Sequence, residues 1–377
     1  MCTRSLGVLA KVLFVPALLL IFAGCGANST TSTNNQSGGM CSGCLFVYAT
    51  TNADQFLTFK PDSSGALGTP AITQGGANSP YLMAPLGGVT LYVSDPNNNA
   101  IDAFAVNSSD GTLTTIMGSP FSLGAAPGSP AGLLQFGNCL YVGDTNGTIA
   151  AFNIASSGAL TLAPVSPFTA GVAPVNLVSY NPYNINAVYA ADFTGGGIWG
   201  FTCNSDCALT PVSGSPFATP PSSAPGAIAV NWTTIYVVLS GLNEIAAYAV
   251  DASGALAPVP GSPFMAGRGP ASLLAYNSFL YALNGLDHTI SAYSVDQNTG
   301  VLTEIPGSPF PAGTAVAGLI NGNGGVLYVP DTQSKGILAF SVDGSTGSLA
   351  PLPGSPFPTS VGPVALTRVV SPILTPP

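Results

Sequence analysis

Ionisable side chains are scarce in this sequence. Only 6% of its 377 residues are charged, with 6 Lys and Arg, 15 Asp and Glu and a single His, and the formal net charge is -9. Beyond the first 11 residues the basic residues are Lys60, Arg268, Lys335 and Arg368. So few cations cannot follow a phosphate backbone, and we therefore expect no nucleic-acid partner.

Long hydrophobic runs are also lacking, except near the N-terminus. The segment "MCTRSLGVLAKVLFVPALLLIFAGCG" has an apolar run from Val12 to Phe22, too short to span a bilayer comfortably, and ends in small residues before Cys25. It resembles a bacterial lipoprotein signal over residues 1–24, with Cys25 as the lipidated residue. We expect an exported protein, anchored in the bacterial cell envelope (periplasmic or outer-surface) and touching the membrane through this lipid only. The polar residues 25–43 are predicted to form a flexible tether.

Cysteine is limited to seven residues, of which Cys2 and Cys25 belong to the signal. An exported chain favours disulfides, and "CNSDC" predicts a local bridge between Cys203 and Cys207 because it lies in a turn. "CSGC", residues 41–44, is interpreted as a structural bridge rather than a redox pair or half a metal site, since no second Cys or His pair accompanies it. Cys139 precedes a strand and is predicted to be a buried apolar side chain.

Glycine and proline are abundant, and they accompany a sequence repeat. With 46 Gly, 34 Pro and 46% hydrophobic residues, the composition suits many short strands joined by turns. Gly-Ser-Pro-Phe begins at Gly118, Gly214, Gly261, Gly307 and Gly354, with Val-Ser-Pro-Phe at Val165, and successive Phe residues are 46 to 49 positions apart. Each unit also contains a Tyr-centred strand such as "LYV", a second alternating run such as "EIAAYAV", and a turn with Gly.

Four short strands per unit are typical of a propeller blade. Six units are complete, and a seventh, "VYATTNADQFLTFKPDSSGALGTPAI", lacks its Pro-led first strand. The segment 361–370, "VGPVALTRVV", supplies such a strand with no blade after it, so we predict an all-β, seven-bladed β-propeller whose C-terminal strand completes the first blade. It spans residues 44–370, with 371–377 as a tail. Because a nucleophile is needed once and this serine recurs six times, the Ser-Pro-Phe motif is interpreted as structural.

The segments "LYVSDPNNNAIDAFAV", "TGVLTEIPGSPFPAG" and "GPASLLAYNSFLYALN" resemble the lactonase-type seven-bladed propellers, over roughly residues 44–370. That family includes 6-phosphogluconolactonase and muconate-cycloisomerase-like enzymes, and its repeats are similar to YVTN-type repeats of surface proteins. The resemblance implies that active members place a His, an Arg and acidic side chains on one face of the ring.

The scarce ionisable residues are predicted to share one face, because loops after each second strand lie on the same side as the loops between blades. The residues concerned are Glu244, Arg268, Asp287, His288 and Lys335. In the catalytic hypothesis His288 is a general base, Arg268 or Lys335 holds a carboxylate or oxyanion, and Glu244 or Asp287 orients the His. The alternative is a set of solvated loop residues without a common task.

Four aspartates recur three residues after the strand tyrosine on this same face: Asp95, Asp144, Asp192 and Asp331. They either cap the following turn or form a partial carboxylate ring that binds a divalent cation such as calcium weakly. We expect no other cofactor. Asp251, Asp296 and Asp343 are assigned to hairpin turns of the opposite face.

Two functions follow from these observations, beside a purely structural envelope protein that differs from the first only by lacking any specific ligand. The first is a binding or interaction module for an envelope carbohydrate or protein, because the face is poor in charge and rich in Asn, Ser, Gly and aromatic residues. The alternative is a lactone hydrolase that uses the His/Arg/acid cluster. We expect a monomer in either case.

Overall fold

The structure is a computed structural model that describes residues 44–75, 82–83, 89–124, 128–314, 316, 318–322 and 324–370. The predicted signal, Cys25, the tether, Cys41 and the tail lie outside these residues. Within them, no helix is long and apolar enough to cross a membrane.

The described residues form 34 strands and one short 3₁₀ helix, grouped in seven blades. Blade 1 contains β1 (Cys44–Thr51), β2 (Gln55–Phe59) and β3 (Ala71–Gln74). Blade 2 contains β4 (Leu82–Met83), β5 (Thr90–Asp95), β6 (Ala100–Val106), β7 (Leu113–Thr115) and β8 (Phe121–Ser122). Blade 3 contains β9 (Pro130–Phe136), β10 (Cys139–Asp144), β11 (Thr148–Ile154), β12 (Leu160–Leu162) and β13 (Phe168–Thr169). Blade 4 contains β14 (Pro174–Tyr180), the 3₁₀ helix (Pro182–Asn184), β15 (Ala187–Asp192), β16 (Gly197–Cys203), β17 (Leu209–Pro211) and β18 (Phe217–Ala218).

The remaining blades repeat this order. Blade 5 contains β19 (Pro225–Asn231), β20 (Thr234–Leu239), β21 (Glu244–Val250), β22 (Leu256–Pro258) and β23 (Phe264–Met265). Blade 6 contains β24 (Pro270–Tyr276), β25 (Phe279–Asn284), β26 (Thr289–Val295), β27 (Leu302–Glu304) and β28 (Phe310–Pro311). Blade 7 contains β29 (Ile320–Asn321), β30 (Val326–Asp331), β31 (Gly336–Val342), β32 (Leu349–Pro351) and β33 (Phe357–Pro358), and β34 (Pro363–Val370) ends the described chain.

The ring closes through blade 1, as the sequence predicts. Its sheet has the order β3-β2-β1-β34, so the C-terminal strand pairs antiparallel with β1, with Val47 opposite Arg368. The other six blades draw all their strands from consecutive sequence. The fold class is therefore a seven-bladed β-propeller, and the pairing with β34 protects the inner edge of β1 from other chains.

The second strand of each blade is buried on both faces because blades pack on either side of it. All six residues of β20 and all six of β25 are buried. Apolar clusters fill the spaces between neighbouring blades, for example Tyr189 and Ile198 of blade 4 with Ile235 and Val237 of blade 5. The core is thus a ring of inter-blade layers rather than one central mass.

The Ser-Pro-Phe motif lies where the outermost strand of a blade is broken in two. In blade 5, β22 pairs with the end of β21 near Tyr248 and β23 with its start near Ile245, which leaves the N–H of Ala247 between them. Ser262 Oγ accepts a hydrogen bond from this N–H at 2.8 Å. The same bond recurs at the other five motifs, from Ala103, Ala151, Gly200, Ala292 and Ala339 to Ser119, Ser166, Ser215, Ser308 and Ser355.

The phenylalanine of the motif packs between its own blade and the next. Phe217 of blade 4 contacts the cluster shared with blade 5, and Phe264 of blade 5 contacts the cluster shared with blade 6. The serine and phenylalanine are therefore structural, as the repetition of the motif indicates.

Tyrosine hydroxyls join neighbouring blades. Tyr236 of blade 5 donates a 2.8 Å hydrogen bond to the carbonyl of Gly300 in the hairpin turn of blade 6. Five more such bonds run from Tyr48, Tyr92, Tyr189, Tyr281 and Tyr328 to Gly111, Gly158, Gly254, Gly347 and Gly65. Burial is the main cause that raises the hydroxyl pKa of five of these donors, Tyr48, Tyr92, Tyr189, Tyr236 and Tyr281, so these hydroxyls stay protonated.

Between blades 3 and 4 a disulfide takes this place. Cys139 of β10 is bonded to Cys207 in the hairpin turn of blade 4, and Cys203 is free. The predicted Cys203–Cys207 bridge is therefore wrong, as is the assignment of Cys139 as a simple apolar side chain. The reason lies in the repeat register: Cys207 occupies the turn position of the inter-blade glycine, with a positive φ of 63°, and so faces blade 3.

Candidate functional site

Two faces of the ring can be defined by their loops. The candidate face carries the loops between second and third strands, at 52–54, 96–99, 145–147, 193–196, 240–243, 285–288 and 332–335, together with the connections between blades. The opposite face carries the turns between first and second strands and the hairpin turns after each third strand. All five predicted catalytic residues lie on the candidate face, in blades 5 to 7.

His288 and Lys335 hold a position that is structurally defined in every blade. The residue just before the third strand has a positive φ throughout, and its members are Asp54, Asn99, Gly147, Gly196, Asn243, His288 and Lys335. Its carbonyl accepts an N–H from the chain that follows the outer strand, at 2.8 Å from Ala312 to His288 and 2.7 Å from Thr359 to Lys335. The backbone of both residues thus holds the blade together, while both side chains are exposed.

The four recurrent aspartates are buried and cap turns. Asp192 accepts the N–H groups of Gly195 within its own loop and of Val172 and Ala173 in the preceding inter-blade connection. Asp331 does the same for Gln333, Ser334 and Thr314. Asp95 accepts from Asn97 and Asn98, and Asp144 from Asn146. Burial raises the pKa of Asp144, opposed by its backbone hydrogen bonds. These carboxylates therefore cap the loops. Among the described residues, no three His, Cys, Asp or Glu side chains lie close enough together to hold a metal ion.

Blades 1, 5 and 6 lack the strand-end aspartate and have Thr51, Leu239 and Asn284 in its place. In blade 6 another carboxylate caps the inter-blade connection. Strand β25 of this blade ends in Asn284, which is fully buried and donates its amide to Thr289 and Ser291 at 3.1 and 2.8 Å. In blade 4, Asp192 accepts the N–H of Val172 in the connection before the blade. The equivalent N–H before blade 6 belongs to Arg268, and it donates to Asp287 Oδ2 at 2.7 Å. The capping carboxylate has therefore moved from the buried strand end to the exposed loop.

This displacement places a carboxylate and a guanidinium together at the surface. Arg268 Nη1 lies 3.9 Å from Asp287 Oδ1, with side-chain exposures of 72% and 34%. At such exposure the pair contributes little to folding, about 0–1 kcal/mol. Most of the Arg268 side chain remains available to an anionic group, and His288 follows Asp287 directly.

Glu244 is tied to the same region through its neighbour. Asn243 Oδ1 accepts the N–H of Gly269, the residue after Arg268, at 2.8 Å. Glu244 itself is half-buried, and its side chain has no hydrogen bond or ion pair within the described residues. Lys335 is separate: no polar contact among the described residues links it to the other four. The structure thus brings Arg268 and Asp287 into contact, sets His288 and Glu244 on adjoining segments, and leaves Lys335 on the next blade.

Asp102 is an ionisable group that sequence reasoning did not single out. It lies on β6 and is half-buried. Burial and the nearby Asp95 and Asp54 carboxylates raise its pKa to about 6, opposed by a hydrogen bond that the carboxylate accepts from the Ser119 hydroxyl. Six of seven blades have an uncharged residue at this strand position, which is the signal that distinguishes it in the sequence.

The Arg268–Asp287–His288 surface has the groups needed for acyl chemistry. A guanidinium can stabilise a developing oxyanion or hold a carboxylate, and an exposed imidazole can accept and return a proton. No phosphate-binding loop accompanies them, since the glycines of this face lie in turns between strands.

The comparisons with known proteins agree with this architecture. The model of the family "Lactonase, 7-bladed beta-propeller" matches residues 119–352, more than half of the chain. A candidate 6-phosphogluconolactonase from Bacteroides fragilis is 21% identical with a TM-score of 0.71, covering 88% of this chain and 100% of its own. The periplasmic gluconolactonase of Pseudomonas aeruginosa is 18% identical with a TM-score of 0.72, covering 87% of this chain and 99% of its own.

No functionally curated protein matches the sequence. The two solved structures are less than 25% identical, so their likeness establishes the fold alone. The family match carries further: the chain belongs to the lactonase family of seven-bladed β-propellers.

Proposed function

We propose that this protein is a lactone hydrolase acting at the blade 5–6 part of the candidate face. The observation that carries the proposal is the displaced capping carboxylate of Asp287, which sits beside the exposed Arg268 and directly precedes the only His of the chain. Family membership favours this function over the binding module that composition alone favours.

Hydrolysis of a lactone needs a base to activate water, a group to stabilise the oxyanion and an acid to protonate the leaving oxygen. His288 takes a proton from water as the oxygen attacks the carbonyl carbon, and returns it to the ring oxygen as that carbon–oxygen bond breaks. Arg268 stabilises the oxyanion and then holds the product carboxylate. Asp287 fixes Arg268 through its backbone N–H and its guanidinium, and Glu244 supplies a second carboxylate nearby.

The experiment measures the opening of glucono-δ-lactone and 6-phosphogluconolactone by the purified protein against the spontaneous rate. We expect His288→Ala to lower turnover by about 10²-fold or more and Arg268→Ala to lower it by about 10-fold or more. Lys60→Ala is the matched control, because Lys60 is an exposed cation on the opposite face of blade 1. Rates equal to the spontaneous reaction, or unchanged in His288→Ala and Arg268→Ala, would reject the proposal; saturable ligand binding without turnover would restore the binding module.

We also propose that the protein is exported and held in the envelope by a lipid on Cys25. The support is the N-terminal sequence, whose residues lie outside the described structure. Metabolic labelling with a radioactive fatty acid tests this: label that persists in Cys25→Ser would overturn the proposal.

A further inference from the structure

Trp232 is an exposed tryptophan on the opposite face, in the two-residue turn between β19 and β20. It is 49% exposed, and its φ is 56°. The other tryptophan of the chain, Trp199, is half-buried and stacks on Phe201. Corresponding turns of blades 3 and 6 have Gly137 and Asn277 at this position, residue types that tolerate a left-handed backbone. The left-handed backbone and the exposed indole both make tryptophan unfavourable for stability at this position. A binding role accounts for it better than a structural one.

The turn that carries Trp232 is fixed by neighbouring strands. Asn231 is buried, and its amide donates to the carbonyls of Asn277 at 3.1 Å and Phe279 at 3.4 Å, both in blade 6. The carbonyl of Thr233 accepts the N–H of Val250 at 3.2 Å. The indole is therefore mounted on a pre-organised turn, so little conformational freedom of the backbone is lost when a ligand binds.

Exposed amide side chains flank this turn in the ring. Asn277 stands at the equivalent turn of blade 6, and the longer connection of blade 4 presents Asn181, Asn184 and Asn186. Amides donate and accept hydrogen bonds without carrying charge. A flat apolar surface bordered by such groups matches a sugar ring, which has an apolar C–H face and a polar rim of hydroxyls.

Charge on this face argues against anionic ligands. Blades 4 to 6 contain one basic residue, Arg268, and it lies on the candidate face. Their hairpin turns place Asp206, Asp251 and Asp296 on the opposite face, all exposed. Hydrogen bonds within the turns lower the pKa of Asp251 and Asp296, so both are anionic at neutral pH. Phosphorylated or acidic ligands would be repelled, whereas a neutral polyol would not.

We propose that the opposite face binds a neutral saccharide, whose ring stacks on Trp232 and whose hydroxyls bond to the flanking amides. This site is separate from the candidate face and does not depend on lactone hydrolysis. A carbohydrate bound at the opposite face leaves the candidate face accessible to other ligands.

The test is native gel electrophoresis of the full chain in gels containing soluble starch, galactomannan or mixed-linkage β-glucan. Trp232→Asn is the test variant, since asparagine keeps the left-handed turn and removes the indole. Val165→Gly is the matched control: Val165 is likewise exposed, at 80%, with a φ of 60°, but lies at the outer rim of blade 3. We expect retardation by at least one polysaccharide, weakened on the order of 10-fold or more by Trp232→Asn and unchanged by Val165→Gly.

Three results would overturn the proposal. One is the absence of retardation by all three polysaccharides. Another is retardation that Trp232→Asn leaves intact. The third is loss of binding in Val165→Gly as well, which would indicate a general effect of the left-handed substitutions. Binding to phosphatidylcholine vesicles, with no response to the polysaccharides, would assign the indole to a membrane surface instead.

Discussion

Cys207 occupies in blade 4 the turn position that glycine occupies in the six other blades, and its sulfur is bonded to Cys139 of blade 3. Elsewhere in the ring the corresponding contact is a tyrosine hydroxyl bonded to the glycine carbonyl, as in Tyr236 and Gly300. Tyr141, the tyrosine of blade 3, makes no hydrogen bond to this turn within the described residues. The contact at this turn is thus a covalent bond between blades 3 and 4 and a hydrogen bond between the other neighbouring blades.

Removing the disulfide should show how much the residue type at position 207, alanine or glycine, affects the free energy of unfolding. The bridge spans 68 residues of sequence, and its loss in Cys139→Ala/Cys207→Ala should lower the free energy of unfolding by about 2–5 kcal/mol. In Cys139→Ala/Cys207→Gly the loss should be smaller by about 1 kcal/mol, because glycine adopts the positive φ without steric cost. Urea unfolding of both variants measures the difference, and equal midpoints would contradict the assignment of Cys207 to the glycine position.

The motif serine should matter for stability and not for turnover. Ser215→Ala leaves the N–H of Gly200 without its 2.9 Å acceptor, in the interior of a blade. We expect the free energy of unfolding to fall by about 1–3 kcal/mol, the cost of an unsatisfied buried donor. Ser213→Ala is the control, since Ser213 is exposed two residues earlier in the same turn. Equal thermal denaturation of the two variants would show that the bond contributes nothing.

The repeated features could be predicted because the same sequence pattern recurs in every blade. The six Phe residues and the recurrent strand tyrosines determine the blade number and strand order from the sequence, and the unpartnered segment 361–370 predicts the ring closure. The pairing of Cys139 with Cys207 was missed because proximity in "CNSDC" outweighed the repeat register, which places Cys207 at a turn that faces blade 3. The contact between Arg268 and Asp287 occurs in a blade that has Asn284 where four other blades have an aspartate, and spacing along the sequence does not reveal that a loop carboxylate caps the Arg268 N–H instead.

Asp102 should make stability depend on pH in an unusual direction. Its folded pKa of about 6 lies above the ordinary value of 3.8, so between about pH 4 and 6 the folded state binds more protons than the unfolded one. Stability from this group therefore falls as pH rises through that window, and the charged form costs about 1–2 kcal/mol at pH 7 after allowance for partial exposure. Asp102→Asn should be more stable than the parent at pH 7 and equal to it near pH 4.

A control of opposite sign is Asp343, which lies fully exposed in the hairpin turn of blade 7. Hydrogen bonds from Ser345 and Thr346 lower its pKa to about 2, so Asp343→Asn should lose stability at neutral pH. The stabilisation from Asp343 is present above about pH 4 and is lost as pH falls toward 2, so thermal midpoints of both variants across pH 2–8 provide the comparison. A parent-minus-Asp102→Asn difference that is flat over this range would contradict the shifted pKa.

The closing strand has a consequence for how the protein is made. Because β34 is the last described strand and supplies the inner edge of blade 1, a ribosome releases six and three-quarter blades before the ring can shut. Until then β1, the first described strand, has an open hydrogen-bonding edge on the side that β34 later covers. A chain cut short before Pro363 would therefore leave this edge of β1 permanently unprotected.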